Sequence, residues 1–291
     1  FAPAAIDLIS INIKDSLFRA AVDSLPPILQ RDYNSRFSSR FAYSYTHSNY
    51  LTTRARPTHL YRVNVEMGGN LPFLLNLLSG GDNNPRDNLL FGKLFFGQYL
   101  KASLEARYFL PAGDKMEWVF RGFAGAARPY NFTPAVPYES RFFSGGTNSM
   151  RGWRSNTLGP GRASLDSLNV SAANSALLAP GGELAFEFNA ELRMDLISYL
   201  ELAFFTDLGN VWFNRPVQGL GSESQKSHLT ARNLRPGWDA GLGFRFDFSF
   251  LLLRFDIGQQ LYAPDKGWVL NSVNDIGSRR TQFNIGIGYP F

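Results

Sequence analysis

Glu183 to Asp195 reads ELAFEFNAELRMD. Leu184, Phe186, Phe188, Leu192 and Met194 share one parity, and Glu183, Glu187, Asn189, Glu191, Arg193 and Asp195 share the other. Successive side chains of a strand point to opposite faces, so this segment has one apolar, aromatic-rich face and one charged face. An apolar face without charge, set against a face charged nearly all along, suits a strand between lipid and a water-filled lumen. The reading is an all-β chain, a transmembrane antiparallel β-barrel.

The same alternation runs outward in both directions. From Arg36 to Ser48, Phe37, Phe41, Tyr43 and Tyr45 oppose Arg36, Ser38, Arg40, Ser44 and Thr46. Tyr61, Val63, Val65 and Met67 oppose Arg62, Asn64 and Glu66. A strand over Lys93–Phe109 sets Leu94, Phe96, Leu100, Leu104 and Tyr108 against Lys101, Ser103, Glu105 and Arg107. Met116, Trp118, Phe120 and Ala124 oppose Lys115, Glu117 and Arg121. Beyond Asp195, Leu200, Leu202, Phe204 and Leu208 oppose Glu201 and Asp207, and Leu242, Phe244, Phe246 and Phe248 oppose Asp239, Arg245 and Asp247. Leu251, Leu253, Phe255 and Ile257 oppose Arg254, Asp256 and Gln260. The final segment sets Phe283, Ile285, Ile287, Tyr289 and Phe291 against Gln282, Asn284, Gly286 and Gly288. These are nine clear strands. Residues 4–13 alternate poorly, and nothing in the first 35 residues reads as a convincing closing strand.

A soluble β-sandwich also alternates. The connections argue against it. Those near 49–58, 110–114, 196–198 and 248–250 are short, and those near 70–90, 129–181, 214–235 and 263–280 are long. Short turns at one end and long loops at the other are the mark of outer-membrane barrels. Tyr199, Phe250 and Phe291 gather at the short-turn ends, and Trp212, Phe213, Trp238 and Tyr262 at the long-loop ends. Such rings favour the headgroup level and read as girdles. The expected orientation puts the long loops outside the cell and the C-terminus in the periplasm.

Composition excludes several classes. No run approaches the roughly 18 apolar residues of a transmembrane helix. The chain of 291 residues carries a net charge of +5 with Lys and Arg scattered, which argues against nucleic-acid binding. There are no cysteines, and FAPAAIDLIS at the start shows no basic n-region followed by an apolar run, so the chain is expected to be processed or a fragment. His47, His59 and His228 lack metal-ligand spacing, so no metal is expected. The Gly-rich triplets at 241–243 and 286–288 lie inside strands with no following helix, which excludes phosphate binding there and leaves no cofactor expected. Ser149 has no base nearby in sequence and no nucleophile elbow exists. No enzyme is expected. A catalytic barrel would need acids, His or Ser grouped at the outer rim, and His228 near Asp239 is the one hint.

The longest connection, 129–181, contains FFSGGTNSMRGWRSNTLGPG from Phe142 to Gly161. Gly145, Gly146 and Gly152 permit a tight turn around Arg151. An arginine in a loop is ordinarily a solvated cation. Here the following strands carry Glu187, Glu191, Asp195, Glu201 and Asp207 on the lumen parity. A loop folded into the lumen could bring Arg151 to two of these carboxylates, and a planar guanidinium suits bidentate pairing.

Phe142 to Trp153, in the pattern FxxGGxxSxRGW, followed by LGPG at 158–161, resembles the loop-six signature of the BamA/TamA-type outer-membrane insertase superfamily, which also contains two-partner-secretion translocators. FTDLGNVW at 205–212, with Gly209, resembles that family's Phe-x-Asp-x-Gly strand, and LAFEFNAELR at 184–193 its strand after the loop. QFNIGIGYPF at 282–291 resembles its final strand and C-terminal signal. The similarity covers about residues 36–291, and the Met-Arg-Gly-Trp form and LGPG tail are more similar to the TamA-like branch. The resemblance implies a 16-stranded barrel behind periplasmic POTRA domains, of which this chain would be the C-terminal part, holding the last nine strands. It implies a latch of Arg151, Gly152 and Trp153 against Glu191, Asp207 and Gly209. It also implies a lateral seam at the last strand involving Phe283, Ile285, Gly286, Gly288, Tyr289 and Phe291.

The expected function is insertion or translocation of proteins at the outer membrane. The partners would be unfolded outer-membrane β-barrel clients, outer-membrane lipids or lipopolysaccharide, and periplasmic or inner-membrane accessory proteins. A secretion pore of the same superfamily and a barrel anchoring a separate enzyme are the alternatives.

Overall fold

The computed structural model describes residues 4–23, 25, 30–49, 56–78, 89–90, 94–163, 179–217, 222–248, 250–269 and 280–291. The strands are β1 (Ala5–Ile9), β2 (Arg36–Ser48), β3 (Thr58–Gly68), β4 (Leu89–Leu90), β5 (Leu94–Phe95), β6 (Tyr99–Pro111), β7 (Met116–Pro129), β8 (Leu184–Ile197), β9 (Leu200–Trp212), β10 (Gly237–Asp247), β11 (Leu252–Ala263), β12 (Gly267–Trp268) and β13 (Thr281–Ile287). Short helices are α1 (Ser16–Asp23), α2 (Asn70–Leu78) and α3 (Ser222–Ser227).

All strands belong to one sheet, ordered β12-β11-β10-β9-β8-β7-β6-β3-β2-β5-β4, with β1 on β2 and β13 on β11. The long neighbours pair antiparallel in chain order. Tight connections make this possible. Gly113 takes φ +86° in the turn between β6 and β7, and only Ser198 and Tyr199 separate β8 from β9.

The sheet is inside-out by the standard of a soluble protein. Along β8, Phe188 is 40% exposed while Asn189 beside it is 0% exposed. The outward face carries exposed Phe41, Tyr43, Val63, Leu104, Phe186, Phe204, Leu242 and Phe255. The other face buries Arg121, Glu187, Glu191, Arg193, Asp207, Asp239, Arg245, Arg254 and Asp256. Buried charge beside exposed aromatics is the reverse of the usual partition, and an apolar solvent outside explains it. This is the wall of a transmembrane β-barrel.

Several expectations from the sequence are corrected here. The strand expected over Lys93–Phe109 is broken: Leu94–Phe95 pairs with β4, and the long strand starts at Tyr99. Loop contacts claim the backbone between, with Gln98 N–H donating to Thr133 Oγ1 at 2.8 Å and Gln98 O accepting from Tyr130 N–H at 3.1 Å. Phe96, expected on the lipid face, is consequently buried. Lys93 lies outside the described residues, as do parts of the connections expected near 49–58, 70–90, 129–181, 214–235, 248–250 and 263–280.

The poorly alternating N-terminal stretch does form a strand, β1, paired antiparallel with β2 from Ala5↔Arg40 to Ile9↔Arg36. Its Ile6 and Leu8 stay exposed, so backbone pairing rather than side-chain burial holds it. Ala5 and Ile9 put apolar side chains on the opposite parity beside Asp7, which blurs the alternation.

Three expected girdle rings are buried instead of exposed. Trp212 and Phe213 are buried, Trp212 Nε1 donating to Asn233 O at 2.9 Å and Phe213 lying under the Arg141 guanidinium. Phe291 is buried with Phe109 and Val119, because Gly288 at φ +78° ends the strand and breaks its parity. Tyr199, Phe250 and Trp238 remain exposed at strand ends, and Tyr262 is half-buried.

Candidate functional site

The loop after β7 returns along the charged face and builds a compact tip there. Two bridges narrow it, Phe142↔Gly182 and Ser144↔Leu158. Gly145 and Gly146 adopt φ +107° and +102°, a region closed to most side chains. A Cβ on Gly145 would also lie 2.4 Å from Arg154 O. Gly146 N–H then reaches Met150 O at 3.2 Å and Trp153 O at 3.0 Å. Met150, Trp153 and Leu158 close a small apolar cluster under this turn. The tip thus has its own core and presents Arg151 on a rigid support.

Arg151 is fully buried. Its Nε and Nη2 donate to the two oxygens of Asp207, each at 2.8 Å, and its Nη1 donates to Glu191 Oε2 at 2.5 Å. The Arg151 backbone N–H also donates to Asp207 Oδ2, at 3.1 Å. One flat face of the guanidinium lies 3.6 Å from the Phe205 ring centroid, and Phe291 stands 5.4 Å away. In-plane carboxylates and stacked rings are the two things a planar guanidinium can use that an ammonium cannot.

Glu191 is a hub. Besides Arg151 it accepts from Arg193 Nε at 2.8 Å and Arg245 Nη2 at 2.9 Å. Arg245 continues to Asp256 at 3.2 Å, and Asp256 to Arg254 Nε at 2.9 Å. Charges buried this deeply are tolerated because each meets an opposite one.

The backbone of the tip is held as firmly as the side chain. Gly152 N–H donates to Asp239 Oδ2 at 3.0 Å, and Gly152 O accepts from Gln260 Nε2 at 2.9 Å. Arg151 O accepts from Asn284 Nδ2 at 2.9 Å. Arg254 Nη2 donates to Thr147 O at 3.0 Å and Asn148 Oδ1 at 2.9 Å. Asn189 Nδ2 donates to Ser149 O at 2.9 Å, and the Ser149 hydroxyl bonds Glu187. The tip therefore touches β8, β9, β10, β11 and β13 together. Glycines make room: a Cβ on Gly152 would lie 2.6 Å from Asp239 Cβ, and one on Gly258 would lie 2.6 Å from Arg151 O.

Of the residues singled out in the sequence, the structure brings together Arg151, Gly152, Glu191 and Asp207. Trp153 packs beside Gly237 rather than on the acids. Gly209 sits opposite Glu187 and Gly237, where a Cβ would meet Phe186 O at 2.7 Å. Glu187 is occupied by Arg121, Ser144 and Ser149, and Glu201 lies 3.7 Å from Arg245. Asp195 lies near the short-turn end and lines a cavity there with Glu201 and Tyr289. On β13, Phe283 and Ile285 are exposed on the outer face, and Gly286 leaves space for the Arg254 guanidinium. Tyr289 lies beneath Arg193, 4.2 Å from its guanidinium carbon. Among the described residues β13 pairs only with β11.

The sequence reading missed Phe205, Asp239, Arg254, Gln260 and Asn284 as loop partners. The four polar ones were legible as inward by parity. Their partners are backbone atoms of a distant loop, which no local pattern announces. The catalytic hint is not assembled: His228 Nδ1 faces Ser224 O at 3.3 Å, while Asp239 takes Gly152 N–H. No group of three or more His, Asp or Glu suited to a metal occurs among the described residues.

The Omp85 superfamily domain matches residues 25–291. Outer membrane protein assembly factor BamA from Neisseria meningitidis serogroup B is 28% identical over 120 residues, covering 40% of this chain and 14% of that protein. The crystal structure of BamA from Haemophilus ducreyi lacking POTRA domains 1-3 superposes with a TM-score of 0.53 at 17% identity, over 95% of this chain and 48% of that one. CdiB from Acinetobacter baumannii gives a TM-score of 0.44 at 17% identity, over 86% of this chain and 33% of that one. The chain thus spans about half of the solved BamA structure and matches a smaller share of the curated relative. With a match over residues 25–291, on a sheet that is apolar outside and charged inside, this chain belongs to the Omp85 superfamily.

Proposed function

We propose that this chain is the loop-bearing part of an outer-membrane barrel that inserts or translocates proteins through a seam along β13. The observation that carries this reading is the reach of the loop tip. One arginine is clamped by Glu191 and Asp207 on β8 and β9, while its own carbonyl is held by Asn284 on β13. The tip acts as a latch, bracing the wall from inside so that the β13 edge can part without the neighbouring strands losing register.

An exposed strand edge is a template for pairing with another chain. Unfolded outer-membrane β-barrel clients would add their strands to β13. Gly286 and Gly288 weaken its hold at the short-turn end, since glycine adds no side-chain packing. The outward rings of the wall contact outer-membrane lipid, with the long loops extracellular and the C-terminus periplasmic. Periplasmic or inner-membrane accessory proteins would deliver clients. No nucleotide is required; client folding supplies the free energy.

The test is Arg151→Glu in the full-length protein. Reversing the charge sets it against Glu191 and Asp207, and breaking a buried pair costs about 3–5 kcal/mol. The loop should become protease-sensitive and client insertion should fall. If both are unchanged, the latch plays no part.

A further inference from the structure

The chain leaves β3 at Gly68, turns at Gly69 and at once forms α2, Asn70–Leu78, with sequence NLPFLLNLL. Its position is set at the first turn. Gly69 takes φ +74°, and a Cβ there would lie 2.1 Å from Gly97 O. Gly69 N–H donates to Ser39 O at 2.9 Å. Asn70 Oδ1 accepts from Gln98 Nε2 at 3.1 Å and from the Tyr130 hydroxyl at 2.5 Å. The helix start is thus bolted to the long-loop rim of the barrel.

Its sidedness is reversed. The buried residues are Pro72 and Asn76, one turn apart on one face. Leu71, Leu74, Leu75 and Leu78 fall at i, i+3, i+4 and i+7, the spacing of a stripe that ordinarily packs on a core. Here the stripe beyond the half-buried Leu71 points away from the protein: Leu74, Leu75 and Leu78 are 49%, 39% and 72% exposed, and Leu77 beside them is 64% exposed. No residue of the helix is charged. A helix with its amide side chain inward and its leucines outward is arranged for an apolar surrounding, as the barrel wall is. Met67 on β3 and Leu100 on β6, both exposed outward, lie at the rim where the helix begins.

We propose that α2 is a rim helix whose leucine stripe is covered by lipid acyl chains, extending the membrane-embedded surface of the barrel beyond the ends of β3 and β6. The occupant is bilayer lipid because the patch is continuous with the lipid-facing wall. It carries no arginine, and its one ring, Phe73, is half-buried at its edge, whereas protein interfaces are enriched in both. Burial of an apolar stripe at the bilayer boundary is how interfacial helices bind. This inference rests on the barrel's membrane wall and not on the insertase reading.

These 291 residues contain no cysteine, and any cysteine elsewhere in the full-length protein is first replaced by serine. Leu78→Cys is placed in the full-length protein, labelled with a polarity-sensitive fluorophore and reconstituted in phospholipid vesicles. Leu104→Cys on the outward face of β6 serves as the lipid control and Asp114→Cys in a short turn as the aqueous one. Nitroxide-bearing acyl chains should quench Leu78 to the same fractional loss as Leu104, and aqueous iodide should quench it far less than Asp114. Iodide quenching equal to that at Asp114, with no loss to nitroxide lipid, would place the helix in water and overturn the proposal. Protection from both quenchers would show another protein surface on the stripe and overturn it equally. Leu74→Cys provides the same reading if Leu78→Cys fails to fold.

Discussion

At the residue scale the central fact is that Arg151 is held by side chain and backbone at once. Its fork meets Glu191 and Asp207, its own carbonyl meets Asn284, and the N–H and carbonyl of Gly152 meet Asp239 and Gln260. These holds differ chemically, so they can be separated. Asp239→Ala removes the acceptor for Gly152 N–H and leaves a buried donor unsatisfied, at about 1–3 kcal/mol. Asp239→Asn keeps an acceptor oxygen and should retain most of the hold. Limited proteolysis of the loop in folded protein should therefore quicken in Asp239→Ala and change little in Asp239→Asn. Equal rates in the two variants would show that the Gly152 hydrogen bond does not restrain the tip. Strand parity placed Glu191 and Asp207 among five inward acids within reach of Arg151, and the family resemblance singled out these two. Asn284 was legible only as an inward polar residue, because its partner is a carbonyl more than a hundred positions away.

At the element scale, β13 is the informative strand. It pairs with β11 from Leu253↔Ile287 to Gln259↔Thr281, and among the described residues its other edge is unpaired. Beyond it Gly288 turns the chain inward, carrying Tyr289 and Phe291 towards Arg193 and Arg151. Alternation in QFNIGIGYPF gave the strand correctly but extended its parity too far, because a positive-φ glycine changes direction without changing the apolar pattern. Phe255 and Ile285 are direct register partners, so Phe255→Cys with Ile285→Cys can join β11 to β13 in an otherwise cysteine-free chain. If clients add to the unpaired edge of β13, this cross-link leaves that edge open and client assembly should persist after oxidation. Assembly that falls on oxidation and returns with reductant places the entry between β11 and β13 instead.

At the scale of the whole molecule, the wall separates two solvents. The charged network around Glu191 is workable because β7 to β13 and the loop tip enclose it. The exposed rings of the outer face are workable because the surroundings are apolar. The two faces should therefore respond oppositely to charge. Phe188→Arg puts a cation on the lipid face near the middle of β8 and should cost about 2–4 kcal/mol if it lies near the bilayer midplane. The measurement is urea-dependent folding into phospholipid vesicles. Ser103→Arg, on the lumen parity of β6, should be far milder. If the lumen variant costs as much as the lipid-face variant, the assignment of faces is wrong.

The sequence by itself determined which residues face lipid and which face the lumen, since a period of two is a local property written in every strand. It also marked Arg151 and the acids that a lumenal loop could meet. Only the tertiary structure decided how the loop tip is held, which rings leave the girdle and where strands break. Those outcomes depend on backbone hydrogen bonds between distant segments, such as Gln98 with the 130–133 turn and Asn284 with Arg151. Such bonds use atoms that every residue carries, so composition and periodicity leave no trace of them.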